Sequence, residues 1–415
     1  MRTAVWSAAR SLTWIALLLP SAAAADPPQR VDDIEQEVEE LRGEVAELRQ
    51  MIEDMRSNPA PVPAAPTPDA LSFDSHTHDR PILPDLSLGG FADVNYSVLH
   101  EDGEGTRNFF SLGDLDLFIT SQLSDRISIL VETLVEFADR SATVDQENAI
   151  DVERLLFKYE YADWLNLAAG RSHVPIGYWN SHFHHGAWLQ TTVRRPLLFQ
   201  FEDEGGILPL HSVGLEVSGN LDLEPGLLEY AAATGNGRGA FFETVQNVFD
   251  RNDSKMFAAQ LAFRPSALPG LAVGANVLLD KIPGGSTALV RHESIRELIA
   301  GAYLAYLADP FEVLLEGQVI RHHTDGESLY SGGGYGQLAY RIGRFKPYYR
   351  FDMLRVDGHD PFYLEDPAAQ DINQHTFGVR FDWMRFAALK LEYERQNREF
   401  PHDLDLFVGQ LSFAF

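Results

Sequence analysis

The chain has no cysteine and only five lysines in 415 residues. Without cysteine there is no disulfide framework and no thiolate nucleophile or metal ligand. Beyond the N-terminal leader, no run approaches the roughly 18 apolar residues of a membrane-spanning helix. The GxSxG, HExxH and phosphate-cradling glycine motifs are missing as well. Carboxylates are plentiful, yet their spacing picks out no acid/base pair. An enzyme is therefore not expected, and no cofactor or resident metal is implied. Basic residues total 33 against 61 acidic ones, a formal charge of −28. That balance excludes a general nucleic-acid binder, which needs a basic face.

The first 25 residues read as an export signal. Arg2 and Arg10 supply positive charge, SLTWIALLLP forms a short apolar core, and Ala23-Ala24-Ala25 offers a small-residue cleavage site. Loss of this leader takes the formal charge from −28 to −30. The rest breaks in composition once, at residues 57–85, so one large domain with an N-terminal appendage is expected.

The appendage, residues 26–56, carries a heptad repeat. Val31, Val38, Val45 and Ile52 occupy one apolar position, and Ile34, Leu41, Leu48 and Met55 the other. A strict 3.5-residue period specifies a left-handed coiled coil, hence self-association. The mixture of residues does not separate dimer from trimer. Ten acids against Arg42, Arg49 and Arg56 on the polar face argue against docking on an anionic membrane surface. Five prolines in PAPVPAAPTP (59–68) then predict a semi-rigid spacer, about 30 Å long at ~3.1 Å per residue.

From residue 86 the pattern is two-fold alternation. Leu115, Leu117 and Ile119 alternate with Asp114, Asp116 and Thr120; Leu155, Phe157 and Tyr159 alternate with Arg154, Lys158 and Glu160. Sixteen such segments can be counted between residues 87 and 415. Very short turns (123–126, 161–164, 307–311, 341–345, 382–386) face long connections at 98–110, 139–151, 235–254, 281–295 and 357–373. Aromatics gather at the short-turn ends: Tyr161, Trp164, Phe263, Tyr306, Tyr340, Phe381 and Trp383. Short turns on one side, long loops on the other and an aromatic girdle define an all-β, antiparallel transmembrane barrel of about 16 strands. The last strand ends on Phe415, like the insertion signal read by the barrel-assembly machinery. The glycines at 332–334 read as a flexible loop end.

Alternation also assigns faces. Asp114, Asp116, Glu132, Arg154, Lys158, Arg350, Asp352, Arg380 and Lys390 should line the lumen, setting both signs of charge around it. Residues 170–211 show neither a strand nor a helix period, and so long an irregular run is usually functional. It joins the fifth and sixth strands on the long-loop side. Arg194, Arg195, Glu202, Asp203, Glu204, His182, His184 and His185 are its candidate constriction residues. The histidines could instead form a metal site, a weaker reading than solvated loop imidazoles.

Within this run, GRSHVPIGYWN (Gly170, Arg171, Pro175, Gly177, Trp179, Asn180) resembles the barrel-to-loop segment of the phosphate-selective O/P-type porin superfamily. Leader, coiled coil, Pro-rich spacer and Phe-terminated barrel together are most similar to its DcaP-like, coiled-coil-bearing members. The resemblance implies a homotrimer in the outer membrane of a Gram-negative bacterium, with a periplasmic N-terminus, lipid and lipopolysaccharide around the barrel, and passive uptake of small, often anionic solutes. Scarce lysine and the lack of a basic ladder set it apart from the phosphate-specific pattern. The expected function is a porin for small polar or charged solutes narrowed by residues 174–210. The alternative is a structural barrel that tethers the envelope through its coiled coil.

Overall fold

The computed structural model describes residues 85–103, 105–137, 149–183, 186–201, 205–242, 249, 253–287, 290–364, 369–398 and 402–415. The expected leader (1–25), coiled coil (26–56) and nearly all of the spacer (57–85) lie outside these residues.

The barrel opens with β1 (Asp85–Glu101), β2 (Gly105–Ser124), β3 (Ile127–Glu136), β4 (Ala149–Ala162) and β5 (Leu165–His173). After the long irregular run come β6 (His211–Leu223), β7 (Gly226–Gly235), β8 (Met256–Pro265) and β9 (Leu271–Ile282). A small hairpin, β10 (Gly285–Ser286) with β11 (Arg291–His292), decorates the next loop. The wall then continues through β12 (Ile295–Ala308), β13 (Phe311–Thr324), β14 (Glu327–Tyr340) and β15 (Phe345–Arg355). It ends with β16 (Ile372–Met384), β17 (Ala387–Arg398) and β18 (Leu404–Ala414). Sixteen of these strands pair antiparallel, each with its chain neighbour in the wall, and β18 closes on β1. Closure leaves no unpaired edge, which is what backbone in a hydrocarbon layer requires. Gly90 and Phe415 exchange both backbone hydrogen bonds, at 3.0 and 3.1 Å, so the terminal residue is part of the seam.

The polarity is inverted relative to a water-soluble core. Outward positions are large and apolar, for example Leu261, Val319, Leu338 and Phe377, each about half exposed. Inward positions include Glu316, Gln318, Arg350, Asp352, Lys390 and Glu392, all nearly inaccessible. On β13 outward and inward positions alternate in exposure without a break from Phe311 to Thr324, with Leu314 and Ile320 the inward apolar residues. An exposed apolar belt all round a closed barrel is a lipid-facing surface. Tyr161 with Trp164, Phe311 with Tyr340 and Phe345 with Phe381 form ring pairs at the short-turn end, with centroids 5.9, 5.0 and 4.8 Å apart.

Two sequence expectations need correction. Residues 98–110 are not a long loop: β1 runs to Glu101 and β2 starts at Gly105, with His100 still paired to Thr106. The glycines at 332–334 are not a loop end either, since they pair with Val319, Gln318 and Gly317 inside the β13–β14 hairpin. The turn there is Asp325-Gly326, both at positive φ (50° and 83°), the geometry of a tight hairpin. In both cases the backbone ladder outlasts the apolar/polar alternation by which a sequence marks its strand ends.

The largest buried apolar cluster lies inside the barrel. It joins Val174, Ile176, Trp179, Leu197, Leu198, Phe199, Ile207 and Leu208 of the irregular run to inward residues of β8, β9 and β12–β15. Burying side chains of this size stabilises by about 1.5–3 kcal/mol each. The run is therefore a packed part of the interior.

Candidate pore and its inward loop

Residues 174–210 leave β5 and return at β6 through a closed neck. Val174 N–H donates to the Leu210 carbonyl at 2.8 Å. The Asn180 amide donates to the carbonyls of both Val174 (2.9 Å) and Leu210 (3.3 Å). Just inside the neck a single helical turn, α1 (Tyr178–His182), begins at Gly177. Gly177 has φ 73°, and a Cβ there would lie 1.9 Å from a Glu316 carboxylate oxygen. Glycine is needed at this position on both counts. The Glu316 carboxylate accepts the backbone N–H groups of Tyr178 (2.7 Å) and Trp179 (3.2 Å), and Tyr335 donates to it at 3.0 Å. Trp179 is fully buried. Gly177, Trp179 and Asn180, which carry the family resemblance, are thus the residues that turn the chain inward.

Beyond α1 the loop follows the inner wall toward the seam. Arg380 donates to the carbonyls of Trp188 (2.6 Å) and Gln190 (2.8 Å). Lys390 donates to Thr192 O at 2.8 Å and also holds Ala187 O. The Glu392 carboxylate takes the N–H groups of Val193 (2.9 Å) and Arg194 (3.2 Å). Arg350 donates to Thr192 Oγ1 (3.1 Å) and to the carbonyls of Arg194 (2.8 Å) and Arg195 (3.1 Å), while Asp352 accepts from Leu197 N–H at 3.1 Å. Val193 packs on Leu404, Leu406 and Val408 of β18, and Trp188 stacks on Phe91 of β1.

The expected lumen residues thus fall into two groups. Arg350, Asp352, Arg380 and Lys390 point inward, but the loop covers them and they hold its main chain. Buried charges are stable only when paired or hydrogen-bonded, and here the loop's backbone amides and carbonyls complete the pairing. On the opposite wall, Asp116 and Glu132 are buried, and Arg154 is ion-paired with Glu132. Asp114 and Lys158 are half-buried. Lys158, Arg154, Glu216, Glu229, His182 and Tyr303 surround a cavity of about 220 Å³ between α1 and the β4–β8 wall.

Among the expected constriction residues, Arg194 is exposed, with its guanidinium 4.0 Å from Glu394. Arg195 lies over the Phe201 ring at 3.7 Å and donates to Phe199 O at 2.9 Å. His182 stacks on Tyr178 (centroids 3.9 Å apart) and its Nδ1 is 3.0 Å from the Tyr178 carbonyl. Although the residue is exposed, desolvation of its ring against Tyr178 holds the imidazole below the usual histidine range, and the nearby Arg264 charge acts in the same direction. His184, His185, Glu202, Asp203 and Glu204 lie outside the described residues. Among the described residues no group of three or more His, Asp or Glu side chains could hold a metal ion. Glu312 and Glu316, which bind the loop from β13, do not stand out in the sequence. Their inward parity in FEVLLEGQVIRHHT is readable, but nothing in a strand tells whether an inward carboxylate meets water or main chain.

No family model matches the chain, and no curated protein matches it. Solved structures do. The anion-selective porin from Comamonas acidovorans superposes with TM-score 0.56 at 10% identity, covering 80% of this chain and 99% of that one. OmpF of Salmonella typhi, in complex with daunomycin, gives 0.52 at 12%, covering 80% and 98%. In-vitro folded OmpT of Vibrio cholerae in its trimer form gives 0.50 at 7%, covering 80% and 99%. At such identities the likeness is one of fold. The fold is the sixteen-stranded barrel of the outer-membrane porins.

Proposed function

We propose that this chain is an outer-membrane porin that lets small polar or charged solutes diffuse down their gradients. The observation that carries the reading is the pairing of an apolar exterior with a polar interior in a closed barrel wide enough to admit a 37-residue loop. A soluble protein would not expose such a belt, and a purely structural barrel has no need of the inward charges that β4, β6 and β7 carry beyond the packed loop.

Loop 174–210 acts as the constriction. It covers the wall from β8 round to β1 and leaves the passage against β4–β7, where Lys158, Glu160, Glu216 and Glu229 stay half-exposed or exposed. Arg194 and Arg195 supply positive charge from the loop, and Arg154 and Lys158 from the wall beside Glu216 and Glu229. A crossing solute meets both signs of charge at once and is oriented by its dipole. Vibrio OmpT has a trimer form, and a homotrimer is proposed here, with the self-associating heptad segment and the N-terminus in the periplasm. The surrounding outer membrane of a Gram-negative bacterium and assembly through Phe415 by the barrel-assembly machinery complete the proposal.

Planar-bilayer recording of the purified protein tests it. Discrete conductance steps, closing in three levels for a trimer, are expected; an electrically silent barrel sinks the reading. Deleting residues 26–70 separates it from an envelope tether, because a porin keeps conducting without them.

A further inference from the structure

Net charge and alternation together isolate one patch that pore function does not use. On the outer face, three neighbouring strands each carry a cation at the same height. Lys281 ends β9, Arg296 begins β12, and Arg321 lies near the end of β13. Arg296 is directly opposite Lys281 on one side and His323 on the other, and Arg321 is paired to Leu298, two residues along from Arg296. Directly opposite Cβ atoms in such a ladder lie about 5 Å apart and diagonal ones about 7–8 Å apart. Lys281, Arg296 and Arg321 are all exposed, and so is Lys255, one residue before β8 begins. Two of the chain's five lysines are therefore on this patch.

The carboxylates next to these cations in sequence point the other way. Asp280 and Glu297 are inward and buried, where Asp280 accepts Arg238 N–H (2.7 Å) and Glu297 accepts from Arg238 (2.9 Å) and His322 (3.0 Å). Among the described residues no carboxylate lies within 4 Å of the Arg296 or Arg321 guanidinium, and Asp325 and Glu327 in the adjoining turn do not reach them. Like charges directly opposite in a ladder are destabilising. In a chain of charge −28, two neighbouring exposed guanidiniums that no described carboxylate reaches are open to an external anion.

Height says which anion. Arg321 lies ten residues above Phe311, Arg296 ten above Tyr306 and Lys281 ten above Leu271, counted from the short-turn end. Ten residues at ~3.3 Å and ~45° tilt rise about 23 Å, close to the ~25 Å apolar band of such barrels. Below the cations the outward residues are apolar (Leu279, Leu298, Val319), and Tyr330, exposed, is paired with Arg321. The cations therefore stand at the upper headgroup boundary. Arginine forks bind phosphate oxygens two at a time.

We propose that Arg296, Arg321 and Lys281 form a binding site for a phosphorylated lipid headgroup of the outer leaflet, its acyl chains lying on the apolar face of β9, β12 and β13. The site rests on the reading of the barrel as an outer-membrane protein, but not on its conducting.

The test uses the full-length protein in detergent, with bisphosphorylated lipid A and enzymatically dephosphorylated lipid A as probes, read by native mass spectrometry across a titration. Wild type should bind the phosphorylated probe at least tenfold more tightly than the other. Arg296→Gln/Arg321→Gln should lose at least tenfold for the phosphorylated probe alone. Arg355→Gln, at the same rim of β15 but beside Asp371 (3.7 Å), should stay within twofold of wild type. Retained heat-modifiable mobility shows that each variant is folded. Equal binding of the two probes, a double variant within twofold of wild type, or an equal loss in Arg355→Gln would each overturn the proposal. So would a double variant that keeps lipid A but changes oligomeric state, which would make the patch a contact between copies. Bilayer conductance, measured in parallel, bears on the porin reading alone.

Discussion

The Arg350 guanidinium, on β15, donates to the main-chain carbonyl of Arg194 at 2.8 Å, linking the barrel wall to a loop 156 residues earlier. The same group also reaches Thr192, Arg195 and its neighbour Asp352. A wall cation thus fixes the main chain of the loop segment that carries the exposed Arg194.

Replacing that wall cation should release the loop. Arg350→Met keeps the length of the side chain but leaves Asp352 buried without its counter-charge. Breaking a buried pair by removing one partner costs about 3–5 kcal/mol. The heat-modifiability transition should drop, and single-channel traces should become noisier as the 192–195 segment moves. A variant with unchanged transition and unchanged noise would contradict the tether.

Gly177→Ala tests the entry to the loop. The added Cβ meets both a positive φ and the Glu316 carboxylate. A strained backbone position of this type costs on the order of 1–3 kcal/mol, before the clash is counted. Limited proteolysis should cut the 174–210 loop faster than in wild type, with the barrel itself intact.

Removing the passage-facing charges should alter ion choice. Arg194→Ala/Arg195→Ala should shift the reversal potential in a salt gradient toward cation selectivity. Arg194→Ala alone should give most of that shift, because Arg195 is already engaged by Phe199 O and the Phe201 ring. An unmoved reversal potential would remove both residues from the constriction.

His182 makes a pH prediction. Desolvation of its ring against Tyr178, with the Arg264 charge, holds its imidazole below the usual histidine range near 6.5. The unfolded chain takes up that proton first as the pH falls. The neutral ring's contribution is therefore present above about pH 7 and is lost progressively through and below 6.5. Thermal stability of wild type should fall over that interval, and His182→Gln should flatten the fall. Parallel curves for the two proteins would assign the acid sensitivity elsewhere.

The sequence by itself determined the barrel. In FEVLLEGQVIRHHT and YRFDMLRV the period of two is legible, because lipid selects the outward face; it is broken inward only where Leu314, Ile320 and Leu354 pack on the loop. All sixteen strands were legible for this reason, including the weakly patterned β6 and β7. Strand ends near Glu101 and Gly105 were not, since above the apolar band hydrogen bonding continues while lipid no longer selects side chains. The loop could be located by its lack of period, and Gly177, Trp179 and Asn180 stood out within it. Its course could not be read. Whether Arg350, Lys390 and Glu392 would meet water or the backbone of residues 187–195 depends on contacts between positions up to 203 residues apart. No local pattern encodes such contacts. Only the closed wall, by bringing β13–β17 opposite the loop, turned inward charges into tethers of the loop's main chain.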